Sequence, residues 1–241
     1  MLWAIFSDVH SNGPALEAVL KEIDASGAER RICLGDLVGY GPHPLEVIQR
    51  IQGLDCEVLV GNHDLAAVGL LDAACFNVYA REAIEWTRSQ LSPEHLSYLE
   101  HLPLTLETGP ISAVHATHDD PEAFLYLQTR QHAHELMRTQ ENLVGVFGHT
   151  HMPLAFLLRD DRVDLSFESD VDLSVVDRAL INVGSVGQPR DEDPRAAFLL
   201  FDDATLKAEI RRVEYDIDSV AGDMRRAGLP NLLAERLRYG V

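Results

Sequence analysis

The stretch Leu2-Trp3-Ala4-Ile5-Phe6-Ser7-Asp8-Val9-His10-Ser11-Asn12-Gly13-Pro14 decides how the rest of the chain is read. Five successive apolar residues predict a short strand buried on both faces, as in a parallel sheet. Pro14 suits the first turn of a helix. Leu16, Val19, Leu20 and Ile23 then follow at helical spacing, which predicts a helix over 15–25. Asp8 and His10 therefore stand between a strand and a helix. In an open α/β sheet, ligands bind at the carboxyl ends of the strands. One carboxylate and one imidazole there suit a divalent transition metal.

The same arrangement recurs further along the chain. Arg31–Leu34 is a second short strand and runs into Gly35-Asp36, with an amphipathic helix predicted up to Gln52. A third strand over 57–60 runs into Gly61-Asn62-His63-Asp64, and residues 65–103 read as mostly helical, with a helix start at Ser92-Pro93-Glu94. Strands at 111–114 and 143–147 end in His115 and in Gly148-His149-Thr150-His151, with a helical excursion predicted between them over 122–142. Beyond Pro153, short β segments are expected at 154–158, 163–167, 179–183, 197–201 and 206–213, then a closing helix from Asp216. Alternating strands and helices predict an α/β fold with a parallel sheet. With no repeat, low-complexity tract or linker, residues 1–241 are expected to form a single domain.

Composition narrows the function. At 46% hydrophobic and 24% charged residues the chain is an ordinary globular sequence. A formal net charge of -19 argues against extended nucleic acid as a partner. A phosphate-bearing small molecule stays open, because bound metal reverses a local field. No apolar run is long enough to cross a membrane, and Met1-Leu2-Trp3 has no basic segment of a signal peptide. Cys33, Cys56 and Cys75 are odd in number and form no CxxC, so reduced thiols and a cytoplasmic location are expected.

The strand ends collect Asp8, His10, Asp36, Asn62, His63, His115, His149 and His151. Glycine precedes three of these clusters, at Gly35, Gly61 and Gly148, and is expected to let the backbone turn sharply there. The inventory fits two metal ions about 3.5–4 Å apart sharing one carboxylate, the arrangement used on phosphate esters. Two divalent ions, two aspartates and a bridging hydroxide leave the site with about one net positive charge, suited to an anionic phosphate. Mixed nitrogen and oxygen donors favour Mn, Fe, Co, Ni or Zn over Mg or Ca. Mn²⁺ is the expected metal.

DVH, GD, GNHD, the lone histidine after a strand and GHTH resemble the five motifs of the calcineurin-like metallophosphoesterase superfamily. Asn182-Val183-Gly184-Ser185-Val186-Gly187-Gln188-Pro189-Arg190-Asp191 is similar to its bacterial phosphodiesterase and diadenosine-tetraphosphatase-like branch. The resemblance implies a four-layer αββα sandwich of two mixed sheets flanked by helices, with the dimetal site at the strand ends. It implies that Asp8, His10, Asp36 and His151 hold one ion, and that Asp36, as the bridge, with Asn62, His115 and His149 holds the other. His63 would face the substrate as the catalytic residue, stabilising the transition state or protonating the leaving oxygen. The implied activity is hydrolysis of a phosphodiester in a small or nucleotide substrate by the bridging hydroxide. A dinucleoside polyphosphate hydrolase, a phosphomonoesterase and a non-catalytic scaffold are the alternatives.

The chain departs from the family pattern in places. The arginines with which the protein-phosphatase branch grips a phosphomonoester are absent from Leu37-Val38-Gly39-Tyr40-Gly41 and Asp64-Leu65-Ala66-Ala67. Gly39 occupies the position of an aspartate that would pair with the catalytic histidine. Asp64 is then either its orienting partner and a substrate contact, or a helix cap. Ser185 and Arg190 are candidate phosphate contacts, through a glycine-rich loop and a guanidinium fork. Tyr40 and His43 are weaker candidates from the loop after Asp36. His118 with Asp119 and Asp120 is expected in a solvated loop, and His132 with His134 on the surface of a helix. Trp3 and Trp86 are expected in the core. Oligomeric state has no signature in the sequence.

Overall fold

The computed structural model describes residues 1–241. In chain order the first elements are β1 (Leu2–Phe6), α1 (Gly13–Ser26), β2 (Arg30–Cys33), α2 (Pro44–Gln52), β3 (Glu57–Val58), α3 (Asn62–Val68), α4 (Val78–Gln90) and α5 (Pro93–Glu100). The middle contributes β4 (Thr105–Thr108), β5 (Ile111–Val114), α6 (Arg130–Thr139), β6 (Val144–Phe147), β7 (Leu154–Arg159), β8 (Arg162–Ser166) and β9 (Asp170–Asp172). The chain ends with β10 (Arg178–Asn182), β11 (Ala196–Asp202), β12 (Lys207–Val213), α7 (Ile217–Arg226) and α8 (Asn231–Arg236).

The strands form two six-stranded mixed sheets, ordered β3-β2-β1-β11-β12-β9 and β4-β5-β6-β10-β7-β8. In the first, β1, β2 and β3 run parallel, and in the second β5, β6 and β10 do. Side chains alternate across each strand, so β1 feeds two cores. Trp3 and Ile5 pack with residues of the other sheet, among them Ala113, Val146, Ala179 and Ile181. Ala4 and Phe6 pack outward with Leu16, Val19, Leu20 and Ile23 of α1 and Val47, Ile48 and Ile51 of α2. On the far side, Val114, Phe147, Phe156 and Leu180 meet Ala133, Leu136 and Met137 of α6. The layering is αββα, as the resemblance implied. It explains why β1, β5 and β6 are apolar without polar alternation: each is covered on both faces.

Local boundaries differ from the sequence reading where tertiary contacts intervene. The third strand pairs through Glu57 and Val58 only; Leu59 N–H still reaches the Cys33 carbonyl (2.8 Å), and Val60 N–H, on the edge side of the sheet, donates to the Pro103 carbonyl (2.9 Å). Asn62 and His63 open α3 rather than lying in a loop. The excursion over 122–142 is helical only from Arg130, after a short 3₁₀ turn at Pro121–Ala123. The edge strands β4 and β9 have too little apolar character to be read from the sequence. No helix is long and apolar enough to cross a membrane. Cys33 is buried, Cys56 half-buried and Cys75 exposed, all as free thiols.

Candidate metal centre

The loops following β1, β2, β5 and β6, with the start of α3, deliver Asp8, His10, Asp36, Asn62, His63, His115, His149 and His151 to one place, and all eight are buried. Five of them have left-handed backbone: Asp8 (φ 55°), His10 (48°), Asp36 (52°), His149 (64°) and His151 (62°). Such conformations cost non-glycine residues on the order of 1–3 kcal/mol each and persist only where the surroundings impose them. Here they coil the chain just beyond the strand, so that residues two apart both point into the site.

The glycines act differently from the expectation. Only Gly35 takes a positive φ (103°); Gly61 is extended. Gly61 and Gly148 are needed for close approach, since a Cβ would fall 2.1 Å from Asp36 Oδ1 at Gly61 and 2.4 Å from Asp8 Oδ2 at Gly148. The backbone also holds these carboxylates directly. His63 N–H donates to Asp36 Oδ1 (2.8 Å) and His149 N–H to Asp8 Oδ2 (3.0 Å).

Three imidazoles are fixed through Nδ1, which donates to a carbonyl: His10 to Val38 (3.1 Å), His115 to Leu34 (2.9 Å) and His151 to Gln188 (2.5 Å). In the neutral rings Nε2 then keeps its lone pair. Nε2 of His10 and Nε2 of His151 face each other at 3.1 Å, and Asp8 Oδ1 lies 3.2 Å from the latter. Asp36 Oδ2 stands 3.6 Å from His10 Nε2 and 3.5 Å from His115 Nε2, while Asn62 Oδ1 is 3.2 Å from His115 Nε2. Asp8 Oδ1 and His149 Nε2 are buried with no hydrogen-bond partner. Acceptors that converge without a shared proton repel one another, and a cation among them removes the repulsion. Three groups have donor atoms close enough to surround one ion: Asp8–His10–His151, Asp36–His115–His149, and His10–Asp36–His63, which joins the other two.

The electrostatics agree. Burial alone would raise the Asp36 carboxyl, yet His115, His63 and His10 hold it below the usual carboxylate range. Burial would depress His115, but the Asp36 charge beside it prevails and raises it to about 9. In the metal-free protein a proton there partly replaces a cation. Burial lowers His149 to about 4 and His151 to about 3, so both are neutral and ready to ligate.

His63 lies between the rings of Tyr40 (4.5 Å), His10 (4.8 Å) and Phe76 (4.8 Å). Burial first, and then His10 and Arg190, push its pKa down against the pull of Asp36. Its Nδ1 has no partner. At Gly39 (φ 92°) a Cβ would lie 2.5 Å from that nitrogen, so no side chain fits there. Neighbouring rings, rather than a carboxylate, orient His63.

Two expected substrate contacts belong to the scaffold. Asp64 is fully buried, and its carboxylate accepts from Gly61 N–H (3.0 Å) and Val38 N–H (3.1 Å). It caps α3 and ties down the loop after Asp36; burial and the Asp36 charge raise it to about 7. Ser185 Oγ donates to the Asp8 carbonyl (2.9 Å) and accepts from Gln188 N–H (2.9 Å), again fully buried. Arg190, by contrast, does line the cavity above the site. The Asn182–Asp191 loop thus braces the turn after β1 and presents one guanidinium.

That cavity holds about 430 Å³ and is floored by Asp36, Asn62, His63, His149 and His151. Its walls include Tyr40, Phe76, Phe124, Tyr126, Arg190 and Arg236. Tyr126 stacks on His149, ring centroids 4.2 Å apart. Sequence reading missed Phe76, Phe124, Tyr126 and Arg236. Phe124-Leu125-Tyr126, an apolar run in a polar loop, was a usable signal for two of them; Arg236 had none. His43 instead pairs with Asp223 (3.1 Å), His132 with Asp119 (3.0 Å) and His134 with Asp161 (2.8 Å), all away from the cavity. His118 also lies outside it, bonded to the Ser112 carbonyl.

A family model described as a calcineurin-like phosphoesterase superfamily domain matches residues 1–205. The crystal structure of a metallophosphoesterase from Sphaerobacter thermophilus is 39% identical with a TM-score of 0.88, covering 100% of this chain and 99% of that one. An uncharacterized protein of Methanocaldococcus jannaschii is 38% identical over 241 residues, 98% of this chain and 97% of its own length. A hypothetical protein from Pyrococcus horikoshii shares the fold at 22% identity and a TM-score of 0.82, covering 100% and 98% of the two chains.

Proposed function

The chain belongs to the calcineurin-like phosphoesterase superfamily, and from that membership we propose that it is a dinuclear metal-dependent phosphodiesterase acting on a small or nucleotide substrate. The observation that carries this reading is the convergence of imidazole nitrogens with the Asp8 and Asp36 carboxylates at and beneath the floor of a cavity sized for a small molecule. Asp8, His10, Asp36 and His151 would hold one ion; Asp36, Asn62, His115 and His149 the other. The donor set suits Mn²⁺, with Fe, Zn, Ni or Co as substitutes. Bound there, the ions supply an activated water and a clamp on the phosphoryl oxygens.

The chain's own groups complete the chemistry. His63, packed against His10, kept neutral by burial and lining the cavity, would donate an N–H hydrogen bond that stabilises charge developing on the leaving oxygen. Arg190 is steadied over the Tyr40 ring, 5.7 Å from its centroid, and faces the cavity where phosphate charge would develop. Phe76, Phe124 and Tyr126 offer a flat apolar wall for a substrate ring. A pure scaffold would have no use for these groups.

One observation favours the second reading, a polyphosphate or monoester substrate. No arginine follows Asp36 or Asn62, but Arg190 and Arg236 line the cavity from elsewhere in the chain. Hydrolysis of bis(p-nitrophenyl) phosphate beside p-nitrophenyl phosphate, on Mn²⁺-loaded protein with a chelated control, separates the two. Faster metal-dependent diester cleavage is expected. A monoester preference would move the assignment to a phosphatase, and no turnover of either would overturn the diesterase reading.

A further inference from the structure

Arg236 comes from α8, beyond the residues matched by the family domain, yet it lines the same cavity as Arg190. No Asp or Glu side chain pairs with either guanidinium, although the chain has 39 acidic residues against 20 basic ones. The Nε of Arg236 donates to the main-chain oxygen of Val241, which fixes the head and leaves its terminal nitrogens free. Arg190 is held by the Tyr40 hydroxyl (3.2 Å) and Gln188 Oε1 (3.1 Å), and its Nε is buried with no partner. Burial and then the charge of Arg190 disfavour the charged form of Arg236. Like charges held together with no acidic side chain between them, in so acidic a protein, mark a place for an anion from outside.

We infer, building on the phosphoester reading above, that Arg190 and Arg236 form a subsite for a second phosphoryl group of the substrate, beside the one held at the metal centre. Arg236 is the specificity-determining residue of the pair, since it reaches the cavity from the C-terminal helix and touches none of the metal-holding side chains. The substrate class is then a phosphoester carrying a further phosphate next to a flat ring, which the aromatic wall accommodates. The C-terminal segment belongs functionally to the site: Leu233 and Ala234 of α8, with Leu237 just beyond it, cluster with Tyr40, Val220 and Met224, which sets where Arg236 points.

The test is calorimetric binding of AMP and of α,β-methylene-ADP to the Mn²⁺-loaded protein, at fixed free Mn²⁺. Wild type is expected to prefer the diphosphate on the order of 10- to 100-fold, as charge-assisted contacts to one added phosphoryl group imply. In R236Q that ratio should fall on the order of tenfold, and in R236K, which keeps the charge but loses the fork, by less. R236K also serves if R236Q fails to fold, as judged by its melting curve. No preference in wild type, or an undiminished ratio in the variants, overturns the subsite. A preserved preference lost in R236Q, in a protein that leaves bis(p-nitrophenyl) phosphate intact, would uphold the subsite while refuting the diesterase reading. The reverse result would do the opposite.

Discussion

Gly61→Ala adds one methyl group at a point where the backbone lies directly against the Asp36 carboxylate. Gly61 sits at φ -106° and ψ 171°, a conformation alanine adopts freely, so the substitution carries no backbone penalty. Its whole cost is steric. The new Cβ would lie 2.1 Å from Asp36 Oδ1, 2.4 Å from Asp36 N and 2.7 Å from Asp36 Cγ. Two of those atoms are the carboxylate and one is backbone, so a change of rotamer does not relieve the clash. Reaching ordinary contact requires a displacement of more than about 1 Å, whereas ligand distances in a metal site tolerate roughly ±0.2 Å. Overpacking of this kind costs about 1–3 kcal/mol, which lowers the melting temperature by roughly 2–4 °C per kcal/mol in a chain of this size. The variant should therefore melt lower and, with Asp36 shared as proposed, lose metal from both positions. Metal content by mass spectrometry after dialysis against limiting Mn²⁺, with melting curves before and after chelation, reads both effects. Gly53→Ala is the control: its Cβ would meet nothing closer than 3.5 Å, at φ -83°. A Gly61→Ala protein that keeps two ions per chain and melts within about 1 °C of wild type would refute the reasoning.

Other outcomes follow from the same geometry. Asp36→Asn should remove both ions, and retention of one would show that the carboxylate is not shared. His63→Ala should keep both metals yet lose on the order of 10²–10⁴ in turnover, least for a nitrophenolate leaving group; full activity would remove His63 from the mechanism. His115, raised to about 9 in the metal-free protein, must give up its proton to a metal. Affinity at that position should thus climb about tenfold per pH unit between roughly pH 7 and 9, with proton release seen in calorimetry in buffers of different ionisation enthalpy. Because that raised pKa stabilises the metal-free fold below the unfolded value, this contribution should fade as pH rises toward 9. A flat affinity across the window would contradict the assignment.

The sequence by itself determined the strand-end motifs and the α/β class, while the two-sheet sandwich was legible only through the family resemblance those motifs carry. The motifs and the class rest on short-range rules: an apolar run without alternation means a strand covered on both faces, and a polar cluster directly after it falls at the sheet edge. Edge strands such as β4 were lost to the same rules, because their partly exposed residues carry no apolar signal. Only the tertiary structure decided what the neighbouring residues do. Asp64 and Ser185 sit beside motif residues in sequence, but their oxygens are taken up by backbone groups of loops brought in from elsewhere. Gly61 and Gly148 serve approach rather than turning, a distinction that exists only once two strand ends abut. Arg236 reaches the cavity from the other end of the chain because α8 is anchored on Tyr40. Contacts made at long sequence separation have no local pattern to announce them, and it is these that fill the walls of the site above a floor the motifs already outlined.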